Sequence, residues 1–100
     1  DACGQHGIWT QEEVYGKWRV KIHEGRYNVR VRFIKPVETE GTMFLETNSM
    51  IIRHENKSTP LDLIEMEDVY FPEMECDLVP YYTTRGRDLF PFWVELEKLD

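Results

Sequence analysis

Apolar and polar positions alternate along most of this chain with a period of two. In 17–23, Trp18, Val20 and Ile22 alternate with Lys17, Arg19, Lys21 and His23. In 26–33, Tyr27, Val29, Val31 and Phe33 alternate with Arg26, Asn28, Arg30 and Arg32. Successive side chains of a strand point to opposite faces, so this alternation predicts half-buried β-strands with Trp18, Tyr27 and Val31 facing inward. The Glu24-Gly25 step between the two runs predicts a hairpin, because glycine accepts the positive φ of a tight turn. By parity the hairpin sets His23 opposite Arg26, Lys21 opposite Asn28, Arg19 opposite Arg30 and Lys17 opposite Arg32. Like charges across a ladder repel. The expected polar face therefore needs cover, either from glutamates of neighbouring strands (Glu46, Glu55, Glu65 or Glu95) or from an acidic partner.

The same pattern continues to the C-terminal end. Strands are expected at 42–46 and 50–55 around a Thr47-Asn48-Ser49 turn, and at 61–70 and 74–82 with a break at Pro72. An Arg85-Gly86-Arg87-Asp88 turn leads to a last strand at 89–96, with Phe90, Phe92, Val94 and Leu96 on one face. Pro80 and Pro91 lack the N–H that a ladder uses, which assigns them to edges or bulges. About seven short strands with turns every ~8–12 residues describe an all-β fold, an antiparallel β-sandwich. The 100 residues are the size of one domain, which buries roughly 60–65% of the extended chain's surface and so supports one core. Residues 1–100 are read as a single β-sandwich domain, and a chain that begins at Asp1 is read as a piece of a larger polypeptide.

Charge narrows the choice of partners. The net charge of −7 argues against nucleic acid, whose phosphates bind basic surfaces through counterion release. No apolar run approaches the ~18–20 residues of a membrane span. The charge is uneven, however: in 17–35 the cations Lys17, Arg19, Lys21, Arg26, Arg30, Arg32 and Lys35 face one acid, Glu24. Arg19, Lys21, Arg30 and Arg32 are accordingly the candidate contact residues, since guanidinium groups grip carboxylate or sulfate bidentately. Trp93 joins them as an aromatic able to cover an interface.

Candidate chemistry is sparse. No Gly-rich phosphate loop, His-Glu-x-x-His or Gly-x-Ser-x-Gly elbow occurs, and His6, His23 and His54 are isolated. Cys3 and Cys76 are too few for a disulfide framework; they read as small buried hydrophobes, or as one bridge in an oxidising compartment. The carboxylates Asp62, Glu65, Glu67, Asp68, Glu73, Glu75 and Asp77 lack the ligand spacing of an EF-hand and read as solvated strand faces. Asn56-Lys57-Ser58 matches a glycosylation acceptor. No catalytic residue, metal or cofactor is expected.

Several segments, in order, carry a resemblance. They are Gly7-Ile8-Trp9, Gly16-Lys17-Trp18-Arg19-Val20, Glu24-Gly25-Arg26-Tyr27-Asn28-Val29, the Phe71-Pro72 break and Phe92-Trp93-Val94-Glu95. Together they resemble the C-terminal region of bacterial arylsulfatase-type sulfatases, over nearly the whole chain. The chain departs from that pattern at Arg32 to Pro36, where the family tends to carry an Arg-Arg-Trp-Pro-like run. The resemblance implies a non-catalytic accessory domain behind a catalytic domain that hydrolyses sulfate esters, in a periplasmic or extracellular protein. Its partners are then the catalytic domain of the same polypeptide and a sulfated glycan. The family's catalytic signature, Cys or Ser-x-Pro-x-Arg, fits neither Cys3-Gly4-Gln5 nor Cys76-Asp77-Leu78, so no catalytic residue carries over. The alternative is a carbohydrate-binding module that stacks sugar rings on Trp93, Tyr81 or Tyr82.

Overall fold

Alternation along the chain becomes two layers in space. A computed structural model of the chain describes residues 6–10 and 18–99, with side chains from residue 19 onward. The strands are β1 (His6–Thr10), β2 (Trp18–Ile22), β3 (Gly25–Val37), β4 (Gly41–Glu46), β5 (Ile51–Asn56), β6 (Leu61–Phe71), β7 (Met74–Thr84), β8 (Arg87–Leu89) and β9 (Trp93–Lys98). They form two antiparallel sheets, ordered β1-β9-β3-β6 and β2-β7-β4-β5, with β8 added to β7. No helix occurs among the described residues. The fold is all-β, a β-sandwich.

The inward positions of each strand meet in one core. Tyr27, Val29, Val31, Phe33, Ile64, Met66, Val94 and Leu96 come from the first sheet, and Val20, Ile22, Met43, Leu45, Cys76, Leu78 and Tyr82 from the second. Tyr27 and Val31 are therefore inward as their parity predicts. The Trp18 side chain lies outside the described residues, as do Lys17 and Cys3.

The expected hairpin does not form. β2 pairs with β7, while β3 is flanked by β6 and β9, so His23-Glu24 carries the chain from one sheet to the other. Gly25 is buried opposite Phe71 at the start of β3 instead of turning a hairpin. Tyr27 secures the crossing: its hydroxyl donates to the carbonyl of His23 at 2.7 Å, four residues back, and its ring meets Phe71 edge-on at 5.6 Å. Such a corner satisfies a carbonyl that leaves one ladder before entering the next. With both edges of β3 occupied, none of the like-charge pairs arises. Arg19 faces Asp77, Lys21 faces Glu75, and Arg30 stands between Glu65 and Glu95.

Turns and breaks follow local chemistry. Thr47 Oγ1 accepts from the amides of Ser49 (3.3 Å) and Met50 (3.1 Å), closing the β4–β5 turn. Arg85 (φ 50°) and Gly86 (φ 76°) form the two-residue β7–β8 turn, with the paired positive φ that matches strand twist. Pro80 sits where β7 passes from its pairing with β2, ending at Leu78, to its pairing with β8, beginning at Tyr82. Pro91 delays the expected last strand: β9 begins only at Trp93, and Phe90 is left exposed rather than sharing the face of Val94 and Leu96. β6 bulges against Asn28, whose Oδ1 accepts from the Asp68 amide at 3.1 Å while Asp68 takes φ 58°.

The corner predicts two separable losses on unfolding in urea. Tyr27→Phe removes one partly buried hydrogen bond and is expected to lower stability by about 1 kcal/mol. Tyr27→Ala also leaves a cavity and should cost about 3–5 kcal/mol, much of a domain's total of roughly 5–15 kcal/mol. A Tyr27→Phe protein as stable as wild type would show that the corner bond contributes nothing.

Candidate binding cleft

Pro36 interrupts β3 near its end. Between the pairs Arg32–Leu63 and Val37–Leu61, the residues Phe33, Ile34, Lys35 and Pro36 stand against Asp62 alone. The chain must bulge there, and Ile34 is pushed out until it is 74% exposed. The amide of Phe92 donates to the carbonyl of Arg32 at 2.7 Å, drawing the segment after β8 against the base of the bulge.

The result is a cleft of about 700 Å³ at one end of the sandwich. One wall is the bulge and its exit, from Phe33 to Thr39; the other is Thr84, Arg85, Arg87, Leu89 and Phe90. Hydrogen bonds brace the two walls. Thr39 and Thr84 share a hydroxyl–hydroxyl bond, Thr84 Oγ1 donates to the Glu40 carbonyl at 2.8 Å, and Tyr82 donates to the Thr39 carbonyl at 2.7 Å. Beside them Gly41 is obligatory, because a Cβ there would collide with the carbonyl oxygen of Thr83.

Charge and apolar surface meet in this cleft. Lys35, Arg85 and Arg87 line it with Glu38 as the lone carboxylate, and these cations make no ion pair among the described residues. Ile34, Leu89 and Phe90 supply its apolar surface, Phe90 being 45% exposed. A second groove, between β5 and β6, holds His54 beside Arg53, Glu65 and Glu67.

The residues singled out from the sequence do not converge. Arg30, Arg32 and Trp93 lie on the outer face of the first sheet, whereas Arg19 and Lys21 lie on the outer face of the second. Arg30 is gripped by Glu65 (3.1 Å), Glu95 (3.1 Å) and Glu97 (3.0 Å), which push its pKa up, Glu95 most strongly. Arg32 pairs with Asp62 at 3.0 Å and caps the ring of Trp93 at 5.6 Å. Arg19 pairs loosely with Asp77 at 3.5 Å. Glutamates of neighbouring strands thus supply much of the cover that the cations require.

The aromatics weighed for sugar stacking are similarly engaged. Tyr82 is fully buried, which corrects its reading as an exposed platform. Tyr81 stacks on Phe44 at 5.1 Å and donates a short hydrogen bond to the Glu46 carboxylate. That bond, with some desolvation, pushes the Tyr81 phenol up to about 12. Cys76 is buried in the core, and burial pushes its thiol up. No group of three or more His, Cys, Asp or Glu positioned to hold a metal occurs among the described residues.

Sequence reasoning missed Ile34, Lys35, Arg85, Arg87 and Phe90. The signal was present in part: Ile34 follows the inward Phe33 without a polar residue between them, immediately before Lys35-Pro36. No protein-family model, curated protein or solved structure matches the chain.

Two measurements check these electrostatics. Arg30→Glu, which sets a fourth carboxylate among three, is expected to lower the melting temperature clearly more than Arg19→Glu, and the gap should narrow in molar salt. Equal effects would show the cluster to be energetically idle. For Tyr81, the folded pKa lies above the ordinary phenol value of about 10. Its contribution to stability is therefore complete below about pH 10 and is lost as pH rises toward 12. Ultraviolet titration should show a phenol component near pH 12 that is absent from Tyr81→Phe and moves downward in Glu46→Gln.

Proposed function

We propose that this chain is a non-catalytic accessory domain of a sulfatase-type hydrolase, packing on the catalytic domain of the same polypeptide and shaping its substrate site. The ordered resemblance to sulfatase C-terminal regions supports this reading. Within the fold, the part of it from Trp18 to Val29 runs into the corner between the two sheets, where Val20, Tyr27 and Val29 enter the core.

The observation that carries the proposal is the cleft. A chain of net charge −7 keeps cations with no ion pair among the described residues around exposed apolar side chains at one end, although elsewhere Arg19, Arg26, Arg30 and Arg32 are matched by carboxylates. Exposed apolar surface rimmed by charge is characteristic of a face that another surface covers. The engagement of Trp93, Tyr81 and Tyr82 within the domain favours packing over sugar stacking. The role is therefore positional: the domain contributes shape and positive potential beside a reaction that other residues perform.

The test is made on the parent polypeptide. Its catalytic part is expected to carry Cys or Ser-x-Pro-x-Arg, with the first residue found as formylglycine by mass spectrometry. The isolated chain, supplied with divalent metal, should turn over no aryl sulfate above buffer. A parent without the signature, or turnover by the isolated chain, would overturn the proposal.

A further inference from the structure

The cleft itself indicates what fills it. We propose that it seats a segment of the catalytic domain in which an apolar side chain is flanked by carboxylates; this inference rests on the accessory-domain reading. Ile34 and Phe90 offer apolar contact, and Lys35, Arg85 and Arg87, without an ion pair among the described residues, surround it. An arginine fork donates two parallel hydrogen bonds to a carboxylate, and the pairing strengthens as the partner's apolar side chain excludes water.

The lining favours a polypeptide over a saccharide. Sugar hydroxyls need free donors and acceptors, yet the hydroxyls of Thr39 and Thr84 are spent on each other and on the Glu40 carbonyl. Apart from the cations, Glu38 is the remaining charged group of the lining, and Phe90 is its exposed ring. Phe33 is buried behind it, and the rest of the apolar wall is aliphatic. Bonds from Tyr82 and Thr84 hold the walls in place before anything binds, so little ordering is left to accompany docking.

The experiment places the photocrosslinker p-benzoylphenylalanine at position 34 of the full-length polypeptide. Irradiation should join position 34 to a catalytic-domain peptide containing Asp or Glu beside an apolar residue. Placed instead at position 51, which is also exposed on β5, at 59%, the crosslinker should not capture that peptide. Arg85→Glu combined with Arg87→Glu should reduce the yield at least tenfold, whereas Arg85→Lys with Arg87→Lys should retain most of it. Undiminished yield after charge reversal, capture of a second copy, or no capture overturns the inference. No capture together with dextran sulfate binding that falls with the same charge reversal would assign the cleft to a sulfated saccharide instead. A formylglycine signature alongside any of these failures would leave the accessory-domain proposal standing, whereas its absence would overturn both.

Discussion

One hydrogen bond, from the Tyr27 hydroxyl to the carbonyl of His23, marks the constraint on which the rest of the architecture depends. It holds the place where the chain leaves the second sheet and enters the first. A hairpin there would have consumed one edge of β3. The crossing leaves both edges free, and β6 and β9 occupy them along most of the strand's length. β3 thereby becomes an interior strand, and its alternating Tyr27, Val29, Val31 and Phe33 become the middle of the core.

The same crossing settles the electrostatics of the surface. Strongly cationic strands paired with each other would stack like charges, which costs stability across a ladder. Separated into different sheets, each meets acidic neighbours instead. β2 lies against Glu75 and Asp77 of β7, and Arg30 of β3 lies between acidic positions of β6 and β9. The acidity of 62–77, unremarkable as a metal site, is thus the counterpart of the cationic stretch before it. It also places charge along β6, which ends its sheet, and charged edge strands resist pairing with other chains.

The cleft arises from the opposite situation, a place where pairing fails. Pro36 and the residues before it overrun their partner strand, so the excess chain bulges and exposes Ile34. The β7–β8 turn then brings Arg85 and Arg87 opposite the bulge, with no carboxylate of a neighbouring ladder to meet them. On paired strands elsewhere, Arg19, Arg26, Arg30 and Arg32 meet carboxylates within the domain. Here the domain leaves charge and apolar surface for something outside it.

The sequence by itself determined the fold class, because a period of two reports directly which residues face inward. Tyr27, Val31, Val94 and Leu96 are buried as their positions require. It also determined the turn at Thr47, through side-chain chemistry that acts within four residues, and the break at Pro72 between β6 and β7. It did not determine which strands are neighbours. Alternation is identical whether β2 pairs with β3 or with β7, since parity fixes the face a residue occupies and not its ladder partner. Tertiary structure alone decided that Glu65, Glu95 and Glu97 converge on Arg30, and that Ile34 and Phe90 share a cleft with Arg85 and Arg87. These groups come from distant parts of the chain, and only the packing of two sheets brings them within reach of one another.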